Sequence, residues 1–241
     1  MASIELQLNA AMQKRNLFIS IALAGFFCCA HGLTAAEKAV ATSTNVSSAK
    51  EAEVAYTQSI EKRVAEILDE LKLKDSEKKT KVHDILIVQY RSLRNWHDAN
   101  DSRLKARTET QAKEIKESLR STHDKFIGAL SAELTPAEVE KVKDKMTYGT
   151  VKVTYDTYCE IVQNLTDAEK QKILDLLKEG REEAMDGGSH QEKAAIFKKY
   201  KGKINNYLDS QGHNVKQLYK DWGERQKQKA VSSSAPDKTD K

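Results

Sequence analysis

The sequence predicts an all-α protein, a bundle of about six or seven helices. Three observations lead there. The chain has only two prolines in 241 residues. Apolar residues recur at three-and-four spacing along most of it, and no segment keeps strand-like alternation beyond a few residues. Charged residues make up 32% of the chain. Acids and bases alternate along the helices as solvated faces do, instead of clustering as a phosphate-binding patch would, so nucleic acid is not an expected partner. By composition the chain divides into a signal peptide (1–36), a flexible lead-in (37–49), a single helical domain (50–225) and a disordered tail (226–241).

Residues 1–36 read as a secretory leader. Lys14-Arg15 precede an apolar run from Leu17 to Ala30, and small residues end at Thr34-Ala35-Ala36. The run is too short for a stable transmembrane helix, which needs ~20 residues, although a retained anchor is the competing reading. Met12 directly precedes the basic pair, which points to a start there and to residues 1–11 as a mis-assigned extension. Cleavage is expected after Ala36, with Gly32 as the other option. Phe27 stands before Cys28, where a lipoprotein signal requires a small residue. The product would be exported, periplasmic or extracellular in a Gram-negative bacterium, and not an integral membrane protein. Losing Lys14, Arg15 and Glu5 lowers the formal charge from +4 to +3. Cys28 and Cys29 leave with the leader and Cys159 remains alone, so stability must come from a packed core and not from a disulfide. Oligomeric state is not legible.

A first helix, from about Lys50 to Leu71, is marked by Val54, Ile60, Val64, Ile67, Leu68 and Leu71. Asp75 or Ser76 starts a second, with Val82, Ile85, Leu86, Gln89, Leu93 and Trp96 on one face. Asn100-Asp101-Ser102 is a plausible break, although one long helix could run through it. The third, to about Ala132, carries Leu104, Ile115, Leu119, Phe126, Ile127 and Leu130. Its stretch Lys105 to Glu114 is almost without apolar residues and should face solvent. Thr135-Pro136-Ala137-Glu138 is a helix start: N-cap threonine, proline first, glutamate third. Thr147-Tyr148-Gly149 ends or bends that helix. Thr150 to Tyr158 is β-branched and aromatic, yet Val151, Tyr155, Tyr158 and Val162 keep helical spacing, which predicts a helix.

Thr166 and Glu169 form another capping box, followed by Ile173, Leu176, Leu177, Ala184 and Gly180 on one stripe with Met185 at its edge. Asp186-Gly187-Gly188 is expected to stop this helix through a left-handed glycine. Ser189 with Glu192 restarts the chain. The inner face of the next helix is Ala195 or Ile196, then Tyr200, Ile204 and Leu208, with Phe197 and Tyr207 beside it. So short a link makes an antiparallel hairpin. A short helix after Gly212 carries Val215, Leu218, Tyr219 and Trp222. Leucine-cap-glutamate starts at Leu73, Leu134 and Leu165 echo one another, as helix starts commonly do.

Catalytic and metal motifs are sparse. The histidines His83, His97, His123, His190 and His213 show no i, i+4 pair, so no metal is assigned; Glu183, Asp186 and His190 could converge across the glycine turn, but turns are polar anyway. No haem or phosphate-loop motif occurs, so no cofactor is expected. Glu182, Glu183 and Asp186 could serve a hydrolase, but acids at one helix end are far more often simply solvated. Cys159 would need a histidine beside it to act as a nucleophile; a buried, inert thiol is the plainer reading. A set of flat rings and planar polar groups is more informative: Tyr200, Asn205, Asn206 and Tyr207 on one helix, near Arg181, Asp186 and Ser189, with Trp96, His97 and Tyr148 elsewhere. Sugars bind by stacking on rings while Asn, Asp and Arg bridge neighbouring hydroxyls. Helix packing would use the same tyrosines as core edge. Gly202, inside a helical run, suggests a close backbone approach.

At REEAMDGGS (Arg181–Ser189) and KYKGKINNYL (Lys199–Leu208) the chain resembles a family of secreted Bacteroidetes proteins of unestablished function, to which a sugar-binding role is ascribed. LTDAEKQKILDLLKE and LTPAEVEKVKDKMTYG are similar to it too, and the likeness runs from about Ser59 to Asn214. It implies no catalytic residues. Gly180 stands where the family suggests alanine, and either fits a tight helix contact. The Leu-Thr starts also resemble those of Spy/CpxP-type periplasmic chaperones, with Glu138 and Glu169 in place of their glutamine. Leader, helical pattern and resemblance together imply an exported, non-catalytic carbohydrate-binding protein associated with polysaccharide use. The alternatives are an envelope-stress chaperone and a glycan-active enzyme. Sugar binding by the Asn/Tyr/Arg set requires Arg181, Asp186 and Asn205 to share one face.

Overall fold

The apolar-periodic segments become helices in the computed structural model, which describes residues 35–105 and 108–233, with side chains over 48–105 and 108–229. Eight helices lie among the described residues: α1 (Ala35–Leu71), α2 (Ser76–Lys105), α3 (Glu109–Glu133), α4 (Pro136–Met146), α5 (Thr150–Ile161), α6 (Asp167–Met185), α7 (His190–Ser210) and α8 (Val215–Ser233). No strand occurs among those residues, and none of these helices is long and apolar enough to cross a membrane. The proposed leader, up to residue 34, and the end of the tail, from 234, lie outside the described residues. The chain divides after Glu51. In the first unit the described backbone, including the expected lead-in 37–49, is helical. The second unit, from Ala52 onward, holds both cores and the cleft between its helices.

The helix starts follow the capping chemistry. Thr135 and Thr166 each accept the N–H three residues on, while Glu138 and Glu169 reach back to the N-cap backbone. Ser189 accepts from Glu192 N–H at the head of α7. Thr150–Ile161 is helix, despite its β-branched residues, because Val151, Thr154, Tyr158 and Ile161 all bury one face.

Antiparallel hairpins build the unit. Glu53 pairs with Arg91 and Arg94, and Glu61 with His83, which sets α1 against α2. Glu183–Lys199 and Glu179–Lys203 do the same for α6 and α7. One apolar core gathers α1–α4 around Val64, Leu71, Leu86, Phe126, Leu130 and Val142. The other gathers α5–α8 around Tyr158, Ile161, Ile173, Leu177, Phe197, Ile204 and Leu208. The end of α6 touches both: Ala184 belongs to the second core and its neighbour Met185, fully buried and not at a stripe's edge, to the first.

Several expectations change. Asn100 does not break α2, because its amide donates to Trp96 O on its own helix at 2.8 Å and so caps nothing. On α2 it is His97, and not Trp96, that continues the buried row of Val82, Leu86, Gln89 and Leu93. Ala195 is exposed; the inner face of α7 is Lys193, Phe197, Tyr200, Ile204 and Leu208. α8 runs past Arg225, although apolar docking residues are lacking there. Trp222 Nε1 reaches Glu160 at 3.2 Å and Arg225 donates to Glu160 O at 2.9 Å, so polar contacts hold it.

The glycines also behave differently. Gly187 and Gly188 are not left-handed; the positive φ values belong to Lys72, Tyr148, Gly149 and Gly212. Gly188 is needed because a Cβ there would lie 2.7 Å from His97 Cγ. Gly202 has open space around it, so nothing approaches its backbone.

Candidate functional site

Where the C-terminal half of α2, the middle of α3 and the α6–α7 turn come together they leave a cleft of about 580 Å³. Trp96, His97 and Leu104 line it from α2; Lys116, Leu119, Arg120, His123 and Asp124 from α3. Glu182, Glu183, Asp186 and Gly187 come from the end of α6, and Glu192 and Ile196 from α7. Helical spacing explains the walls. Trp96 and Leu104 lie beside the buried row of α2, whereas on α3 residues 116, 120, 123 and 124 fall within two turns of one another on one side.

The turn is held from both sides. His97 Nε2 lies 2.7 Å from Asp186 O and its Nδ1 2.9 Å from the Asp101 carboxylate. His123 Nδ1 lies 3.0 Å from the Asp186 carboxylate, and its Nε2 3.7 Å from Glu182. Burial works against charge on His97, but the Asp186 carbonyl, Asp101 and Glu192 outweigh it and hold its pKa above the ordinary value. His123 is raised chiefly by its hydrogen bond to Asp186, with burial opposing. Trp96 is half-buried. Its indole N–H donates to Ser118 Oγ at 2.8 Å, and its ring meets His97 edge-on at 5.0 Å.

Of the residues picked out from sequence, Trp96, His97 and Asp186 meet here, and the others do not. Arg181, 2% exposed, is spent inside the fold: Nη1 donates to Asp144 and Nη2 to Glu140, both at 2.7 Å, and Glu182 closes the clamp between α6 and α4. Asn205 instead accepts from Tyr158 OH at 2.7 Å, between α5 and α7. The three residues required to share a face therefore turn to three different neighbours, and the Asn/Tyr/Arg set is not one site. Tyr200 is buried under Gly180, its hydroxyl donating to Glu179 and Glu183 at 2.9 and 3.1 Å. Tyr207 packs against the second core and Ser189 is an N-cap. Asn206 is exposed on α7. Tyr148, exposed at the α4–α5 turn, stands edge-on to His190 at 5.1 Å.

Gly180 is a further correction. A Cβ there would lie 2.8 Å from Tyr200 Cγ and Cδ2, so alanine is not equivalent to glycine at this contact. Sequence reasoning also missed two groups. His123 was visible only as one histidine among several; nothing in the chain announced Asp186, 63 residues away, as its partner. Lys193, 7% exposed, donates to Met146 O and Met185 O, the last carbonyls of α4 and α6, at 3.1 and 3.3 Å. Its place one turn before Phe197 on the buried row was the available signal. Burial, with Arg63 nearby, pushes its pKa down to about 8. Cys159 is half-buried beside the second core. Among the described residues no three His, Cys, Asp or Glu side chains group as metal ligands.

Residues 57–228 match the sequence profile of a family described as "Protein of unknown function (DUF3826)", and the chain belongs to that family. Among curated proteins none matches it.

Proposed function

We propose that this member of the DUF3826 family is an exported, non-catalytic binding protein that takes a carbohydrate in the cleft between α2, α3 and the α6–α7 turn. Export is supported by the leader pattern in residues 1–36, and the Gram-negative envelope by the resemblance to secreted Bacteroidetes proteins. The observation that carries the ligand class is Trp96. Its N–H is already satisfied by Ser118, so the ring is held in place with its apolar body at the cleft. Lys116, Arg120 and Asp124 stand on one side of that cleft and Glu183 and Glu192 on the other. A ring for C–H faces, ringed by donors and acceptors of both charges, suits a polyhydroxylated, uncharged ligand.

Isothermal titration against plant and host glycans tests this. Trp96→Ala and Asp124→Ala should abolish or weaken the heat, and Asn206→Ala, on the exposed face of α7, should leave it unchanged. Absence of heat with every glycan ends the proposal. One observation favours a glycan-cleaving reading instead: Glu182, Glu183 and Asp186 all line the cleft. Each already has partners, Glu182 in Lys143 and Arg181, Glu183 in Lys199 and Tyr200, and Asp186 in His123. New reducing ends appearing with wild type and not with Glu183→Gln would favour catalysis over binding.

A further inference from the structure

His97 and His123 reach the same residue from different helices. Asp186 is the C-cap of α6 and the first residue of the turn that forms one side of the cleft. His97, on α2, meets its main-chain carbonyl, and His123, on α3, meets its carboxylate. In both rings the second nitrogen also faces an acceptor: Asp101 at 2.9 Å for His97, Glu182 at 3.7 Å for His123.

A neutral imidazole has one N–H and one lone pair, so it can serve only one of two acceptors; the imidazolium serves both. Loss of the proton sets a nitrogen lone pair against an oxygen at each ring: the Asp186 carbonyl or the Asp101 carboxylate at His97, and the Asp186 or, farther off, the Glu182 carboxylate at His123. We propose that doubly protonated His97 and His123 latch the α6–α7 turn to α2 and α3, so that acid fastens this side of the cleft and alkali loosens it.

The charges against the two rings are mostly acidic. Around His97 stand Asp101 on its own helix and Glu192 of α7 at 3.9 Å. Around His123 stand Asp186 and Glu182 of α6, with Asp124 and Arg120 on its own helix. Lys143 of α4 opposes, but it is bound to Glu182 at 2.8 Å. Both rings are shielded, with 8% and 15% of the side chain exposed, so solvent screens these pairs less than it does surface ones. His83, between Glu61 and Asp84 on the α1–α2 surface, has the same two-acceptor pattern away from the cleft and serves as an internal control.

The consequence for ligand binding rests on the cleft being the binding site, whereas the latch is tested without any ligand, so failure of one is distinguishable from failure of the other. Long-range 1H–15N correlation spectra of the full chain read each ring's protonation. His97 and His123 should titrate above the ordinary value of about 6.5 and carry protons on both nitrogens at pH 6. Asp186→Asn should lower His123 and leave His97, which uses the main-chain carbonyl, nearly unmoved. Asp101→Asn should do the reverse.

Amide exchange at Gly187 and Gly188, corrected for intrinsic rate, should slow from pH 8 to pH 6 as the rings gain their second proton. His83→Gln should keep that response and His97→Gln/His123→Gln should lose it. If the double variant fails to fold, the two aspartate variants decide. Titration of either ring at or below the ordinary value, or an unchanged response without both histidines, overturns the latch.

Discussion

Alanine substitution at three helical glycines should give opposite signs, because only one of the three is covered by a neighbouring side chain. In mid-helix, Gly→Ala gains about 1 kcal/mol from reduced backbone entropy in the unfolded chain. Gly128 on α3 and Gly202 on α7 have nothing within 4 Å of a built Cβ, so each variant should be stabilised by about 0.5–1 kcal/mol. At Gly180 the Cβ would meet Tyr200 Cγ and Cδ2 at 2.8 Å and its Cβ at 3.2 Å, too close for real atoms. Tyr200 cannot move freely. It is 3% exposed, its hydroxyl is bonded to Glu179 and Glu183, and Lys203 lies over its ring at 4.1 Å. Overpacking costs about 1–3 kcal/mol, and losing a hydrogen bond to a charged group adds about 1.5–3. After the helical gain of about 1 kcal/mol, Gly180→Ala should be destabilised by about 1.5–5 kcal/mol. Urea unfolding with a shared m-value measures all three. A rise in midpoint for Gly180→Ala equal to that of Gly202→Ala would refute the close contact, and with it the geometry of the α6–α7 hairpin.

Lys193 predicts a pH signature. Its pKa is about 8 when folded and ordinary when unfolded, so above pH 8 the unfolded chain holds the extra proton and stability rises with pH. Between pH 8 and 10 wild type should gain about 2 kcal/mol relative to Lys193→Met, measured by urea midpoints at each pH; parallel curves would show that this lysine is not buried with its charge. Arg181→Ala should lose about 2 kcal/mol, because Glu140 and Asp144 are half-exposed and can rehydrate, and Arg181→Lys should recover little of it since a lysine cannot serve both carboxylates in the plane. Equal stability of the lysine variant and wild type would argue against the clamp. Tyr148 sits at φ +60°, a left-handed conformation unfavourable for a bulky residue. Tyr148→Gly should therefore raise the melting temperature, by the equivalent of about 1 kcal/mol; an unchanged or lower value would show that the contact with His190 outweighs the strain.

Most of the local structure was legible in the chain, although the conformation of Gly187-Gly188 and the helix running through Asn100 were not. The caps at Thr135, Thr166 and Ser189, the all-α class and the α6–α7 hairpin follow from hydrogen bonds and periodicities that span a few residues, so neighbouring letters suffice to read them. The family resemblance rested on the same stretch. What the letters could not show is which polar side chains meet. Arg181, Asp186 and Asn205 look alike in sequence as available ligand groups. Packing sends Arg181 to the carboxylates of α4, Asn205 to Tyr158, and Asp186 to two histidines 89 and 63 residues away. The same holds for Lys193, whose ammonium lies inside because two helix ends leave their carbonyls there. Sequence alone determined the capped helix starts and which apolar stripes turn inward, because those are short-range matters. Only the tertiary structure decided which charges are consumed by the fold and which line a cleft, since a buried ion must find its partner wherever the chain brings one near.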